Sequence, residues 1–205
     1  MDPLTHRRPL KSRSTGWARR AARMVAATGL SPNGISTVGI GFAALGAWAL
    51  IQAPDFGWPL WLAAAACIQL RLLMNLLDGM VAVEGGRQSA TGALFNEAPD
   101  RIEDSLLLVA AGYAGHASDL GWCAALLALA TAWARAFGTS LGFEPDFCGP
   151  MAKPHRMAAL TVGALACIAW PADRALPICL WAIVAGAAWT FVRRVLRIHR
   201  LLQEQ

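Results

Sequence analysis

Ionisable and carboxamide side chains gather in two stretches of an otherwise apolar chain. The first holds Gln69, Arg71, Asn75 and Asp78; the second holds Asn96, Glu97, Asp100, Arg101, Glu103 and Asp104. Helical spacing sorts them. Arg71, Asn75 and Asp78 fall at i, i+4 and i+7 on one face, and Asn96, Asp100 and Asp104 at i, i+4 and i+8 on another. Facing each other, two carboxylates and two carboxamides offer hard oxygen donors, suited to Mg²⁺ or Mn²⁺ rather than a softer metal. Gly79, Ala82 and Gly92 leave room beside them for a substrate to approach the backbone. Polar contact between helices accounts for one or two such residues but poorly for ten.

The elements that must position these groups read as membrane spans. Of 205 residues, 56% are hydrophobic and only 15% charged, against about 25% charged in soluble domains. Mean hydropathy is +0.43. Six stretches approach the roughly 20 apolar residues that cross a bilayer: 34–52, 59–83, 89–115, 119–142, 155–171 and 175–197, the fifth being short. The separators carry Gly, Pro and Asp, as turns do. The spacing therefore predicts an all-α membrane protein with six transmembrane helices. Six spans put both termini on one side, and the positive-inside rule selects the cytoplasm. The inner segments then hold Arg87, Lys153, Arg156 and two basic tails, while Arg174 is the single basic residue in the outer gaps.

Seven basic residues precede position 30, where Asp2 is the only acid. Residues 15–30 read as an interfacial amphipathic helix, with Arg19, Arg20 and Arg23 on one side and Trp17, Ala21, Met24 and Val25 on the other. A basic arm serving topology alone is the alternative. The division is thus a cytoplasmic arm and interfacial helix over 1–30 and a transmembrane domain over 31–205. Charge that flanks membrane spans argues against nucleic-acid binding. The five cysteines show no metal-ligand spacing and read as small hydrophobes.

The run Asn75-x2-Asp78-Gly79-x2-Ala82-Val83-x8-Gly92-x3-Asn96-x3-Asp100 resembles the signature of the CDP-alcohol phosphotransferases, D-x2-D-G-x2-A-R-x8-G-x3-D-x3-D. Every spacing is kept across 26 positions. Asn75 and Asn96 replace aspartates, and Val83 replaces the arginine. The resemblance implies transfer of a phosphatidyl group from CDP-diacylglycerol to an alcohol or alcohol phosphate, with release of CMP. It implies divalent metal on Asp78, Asn75, Asn96 and Asp100, with Asp100 also the general base. It further implies nucleotide and phosphate contacts at Gly79, Ala82 and Gly92; either Arg87 reaches back in place of the lost arginine or the donor sits differently.

The amides leave the site about two charges less negative than the family pattern. An active divergent enzyme and a CDP-lipid-binding protein without turnover both fit, whereas an unrelated transporter would not explain the spacing. Gly149-x3-Lys153-x2-Arg156 resembles a basic motif of family members with phosphorylated polyol acceptors, and Arg135 could join Lys153 and Arg156 in holding the acceptor phosphate. The sequence does not choose between glycerol 3-phosphate and an inositol phosphate, and it leaves a homodimer open. The short loops suggest a bacterial inner membrane.

Overall fold

The computed structural model describes residues 15–84 and 91–204. Arg87 and the side chains of Val83 and Asn96 lie outside the described residues, as does the arm before residue 15. Seven helices follow one another among the described residues: α1 Gly16–Ala27, α2 Pro32–Phe56, α3 Trp58–Glu84, α4 Gly92–Ala114, α5 Ser118–Ser140, α6 Lys153–Ala166 and α7 Ala172–Gln203.

Four of them, α2, α3, α5 and α7, are long and apolar enough to cross a membrane. The other two long elements fall short for different reasons. α4 has the length, but its N-terminal half carries the acidic and basic residues from Glu97 to Asp104. α6 has only 14 residues, about 21 Å of helix against a hydrocarbon core of about 30 Å. The sequence places this fifth span at 155–171; instead the helix closes at Ala166, and turn bonds such as Ala169 N–H to the Ala166 carbonyl follow before Pro171.

Local chemistry explains the helix starts. Ser31 caps α2, accepting from the Gly34 N–H at 3.1 Å, and Pro32 occupies the first turn where its missing N–H is harmless. Small residues set the helix spacing. The main core combines Ala43, Ala47, Ala64, Ala111, Ala125 and Ala164 with Leu and Ile from α2 to α7, so backbones approach closely, as helices in lipid do. Outward, Trp48, Trp122, Trp133, Ile178, Trp181 and Trp189 stand exposed. Such an apolar exterior suits a lipid environment.

α2 packs against both α3 and α4, which touch each other only sparsely. The polar faces of α3 and α4 therefore meet through their longer side chains rather than by close backbone packing, and α2 and α6 complete the space between them. α1 lies on α3 through Ala18 and Ala22, leaving Trp17 and Met24 exposed. The face packed on the protein, Ala18 and Ala22 with Ala21 and Val25 beside them, is thus offset from the apolar side read from the sequence.

Candidate active site

Asp78 is buried on α3. Its Oδ2 accepts from Ser36 Oγ of α2 at 2.6 Å, and its Oδ1 is buried with no hydrogen-bond partner among the described residues. Asn75, one turn away, receives the Lys153 ammonium on Oδ1 and donates from Nδ2 to Glu103 Oε2 at 3.2 Å. Lys153 also donates to Asp100 Oδ1. The first residue of α6 thereby bridges α3 and α4. Lys153 acts electrostatically on Asp78, Glu103 and Asp104 as well, and Asp78 and Asp100 lie close enough to repel one another.

Beneath this cluster lies an ion-pair network shut off from solvent. Arg71 is fully buried; its NH2 group donates to Asp104 Oδ1, and its NH1 lies 3.4 Å from Glu103 Oε2. Counting from the 84–88 loop along two antiparallel spans puts Arg71 and Asp104 at matching depth, and the pairing agrees with that count. Arg156 meets the second oxygen of Asp104 at 2.8 Å and spends NH1 on the Met151 carbonyl and Thr131 Oγ1. Gly39 makes the room, since a Cβ there would sit 2.7 Å from Glu103 Oε1.

The three basic residues assigned to the acceptor therefore separate. Lys153 sits between Asn75 and Asp100, on the motif itself. Arg156 is 2% exposed and pinned by Asp104, which opposes direct contact with a soluble phosphate. Arg135 lies apart, bound to Glu97 at 2.5 Å and 2.7 Å, with its guanidinium 5.5 Å from the Phe147 ring centroid. Gly79 is buried, while Ala82 and Gly92 are half-buried further along α3 and at the start of α4.

Sequence spacing misses three contributors. Ser36 gave one faint signal, as a hydroxyl inside an apolar helix. Thr131 accepts from Arg156 through its side chain and from Arg194 through its carbonyl, the latter at 2.6 Å. Arg194 reads as tail charge in the sequence, yet it is buried, with Nε 3.1 Å from the Cys148 carbonyl. That loop is held along α7 by Arg194 and Thr190. Gly149 has φ +116°, and a Cβ there would meet Thr190 Cγ2 at 2.4 Å, while Met151 N–H donates to Thr190 Oγ1. Outside the bundle, burial disfavours the charge of Asp146. The Cys148 thiol and N–H that donate to it, with Arg197 and Arg194 nearby, nevertheless hold its carboxyl below the usual range.

Hard oxygens of Asp78, Asn75 and Asp100 fit Mg²⁺ or Mn²⁺ in type. The unpartnered Asp78 Oδ1 is a buried acceptor that a cation would satisfy.

No family model matches the chain. It is similar to a phosphatidylinositol phosphate synthase from Streptomyces avermitilis, 27% identical over 184 residues that cover 84% of this chain and 73% of the relative. A phosphatidylinositol phosphate synthase from Corynebacterium glutamicum is 28% identical over 182 residues, covering 85% and 80%. Among solved structures, the Mycobacterium tuberculosis phosphatidylinositol phosphate synthase in complex with manganese and citrate aligns with a TM-score of 0.76 at 21% identity, covering 88% of each chain. The same protein with CDP-DAG bound aligns with a TM-score of 0.75 at 22% identity, covering 88% of this chain and 92% of that one.

Proposed function

We propose that this chain, a member of the CDP-alcohol phosphotransferase family, transfers the phosphatidyl group of CDP-diacylglycerol to an alcohol in phospholipid synthesis. One observation carries the reading. Motif residues from two helices, Asn75, Asp78 and Asp100, meet in a single polar cluster inside an apolar bundle, and that bundle has the fold of a synthase described with CDP-DAG bound. The relatives' activity favours a phosphorylated polyol as acceptor, with an inositol phosphate ahead of glycerol 3-phosphate.

Asp78, Asn75, Asn96 and Asp100 would hold Mg²⁺ or Mn²⁺, as manganese accompanies the related synthase. Bound there, the ion supplies charge neutralisation on the donor pyrophosphate. Asp100 accepts the proton of the acceptor hydroxyl; the oxygen attacks the lipid-bearing phosphorus, the bond to CMP breaks, and CMP leaves. Ser36 fixes the Asp78 rotamer, and the Arg71–Asp104–Arg156 network holds α3, α4 and α6 in register. Gly79, Ala82 and Gly92 leave space for the nucleotide, with Arg87 at its phosphates. Arg135 is the basic residue best placed to meet the acceptor phosphate, through exchange with Glu97.

α2 to α7 cross the membrane with both termini in the cytoplasm. α1 lies at the interface through Trp17 and Met24, and the short α6 spans by local thinning or through its flanking turn. The bacterial relatives favour an inner-membrane location, and a homodimer is compatible with the exposed apolar exterior.

The test is direct. Purified protein in liposomes, given CDP-diacylglycerol, Mg²⁺ or Mn²⁺ and a panel of alcohols and their phosphates, should release CMP. Arg135→Ala should raise the KM for a phosphorylated acceptor more than that for CDP-diacylglycerol. Metal-dependent CDP-lipid binding without CMP from any acceptor would instead establish a binding protein.

A further inference from the structure

Resting on that reading, we infer that the Lys153 ammonium is a built-in cation of the site, standing in for a second divalent ion, so that the protein binds one metal per chain. The observation is the bridge Asn75 Oδ1–Lys153 Nζ–Asp100 Oδ1, which joins a donor from α3 to a donor from α4. A bridging metal would make the same connection. The bridge is geometrically built: Lys153 opens α6, its side chain is 19% exposed, and Gly149 and Thr190 anchor the preceding loop.

Charge explains why a lysine belongs there. Asp78, Asp100, Glu103 and Asp104 face Lys153, Arg71 and Arg156, four acidic side chains against three basic ones, a formal count of one negative charge. Two divalent ions about 4 Å apart repel strongly and need several carboxylates between them. Amides at positions 75 and 96 withhold that charge. A fixed monovalent ammonium completes the neutralisation with one positive charge instead of two. It also leaves Asp78 Oδ1, buried without a hydrogen-bond partner among the described residues, for the remaining ion. Asn75 suits the arrangement because a neutral carbonyl oxygen accepts from Lys153 while its amide donates to Glu103. Lys153 thus belongs with the donor pyrophosphate and the reacting groups rather than with an acceptor phosphate.

The experiment titrates the purified full chain in detergent with Mn²⁺ alone and follows stoichiometry and electron paramagnetic resonance. Wild type is expected to bind one Mn²⁺ with an uncoupled six-line spectrum. Two spin-coupled ions, or none, would overturn the inference, and this measurement needs no variant. In an Asn75→Asp/Asn96→Asp background, adding Lys153→Gln should let a second ion bind roughly tenfold more tightly, with spin coupling. Lys153→Arg in that background keeps the charge and should not. Equal second-ion affinity with and without the lysine would count against the idea, provided elution and helix content match wild type. CDP-diacylglycerol is absent throughout, so the result is separable from the transfer reading: one bound ion with no CMP release in the liposome assay would sink transfer and leave the lysine's role standing.

Discussion

Asp100 and the two asparagines divide the labour of the motif at the residue scale. A carboxylate at 100 can take a proton; an amide cannot. Asp100→Asn is therefore expected to abolish CMP release while leaving the fold intact, and sustained turnover would defeat its assignment as base. Asn75→Asp/Asn96→Asp should bind Mn²⁺ more tightly through added charge yet turn over no faster, measured by titration beside CMP release. A gain in turnover at low Mg²⁺ would mark the asparagines as decayed ligands. Asp146 supplies a pH signature outside the bundle. Its folded pKa is depressed by the Cys148 donors and the nearby Arg197 and Arg194, so its stabilisation is present above the ordinary carboxylate pKa, about 3.9. It is lost as pH falls through the lower folded value. Thermal melts of wild type should therefore lose stability on acidification below about pH 4 more steeply than those of Asp146→Asn.

At the element scale, the buried network ties α3, α4 and α6 together. Arg71 and Arg156 both engage Asp104, and none of the three is exposed by more than a few per cent. Removing Arg71 alone strands Glu103, since Asp104 keeps Arg156, and breaking such a buried pair costs about 3–5 kcal/mol. Arg71→Met should thus lower the melting temperature sharply in detergent, whereas Glu103→Gln placed with it should recover part of the loss. If the single and double variants melt alike, the pair does not hold the helices. The α6 loop shows why a short helix can matter: Gly149 lets it pass tight against Thr190, and that passage sets where Lys153 enters the site.

For the whole molecule, the proposed orientation rests on the charge pattern. Basic residues crowd both ends of the chain, while Asp55, Asp119 and Asp173 fall in the gaps that the proposed topology puts on the opposite side. In a cysteine-free background, single cysteines at Ser118 and Asp173 should react with a membrane-impermeant thiol reagent added outside intact cells or spheroplasts. A cysteine at Ser14 or Gly142 should react only after the membrane is opened. Labelling of Ser14→Cys from outside would reverse the topology and move the site to the other face.

Much of this was written linearly. Hydrophobic run length, Gly and Pro separators and the 26-position motif specify the helices and their chemistry, because burial in lipid and fixed helical spacing are properties of contiguous residues. The depth match of Arg71 and Asp104 followed from counting along two antiparallel helices across a short loop. Sequence periodicity could not say which helix fills the gap between α3 and α4, since many apolar faces would serve. Only the tertiary structure put α2 there, bringing Ser36 onto Asp78 from 42 residues away. It also turned Arg194 from tail charge into a buried support for Thr131 and the Cys148 loop. Lys153 shows the same limit most clearly. Its motif marks a basic residue near the membrane surface, but whether that charge meets an acceptor or the metal donors depends on where α6 docks, a contact 78 residues from Asn75 that packing alone decides.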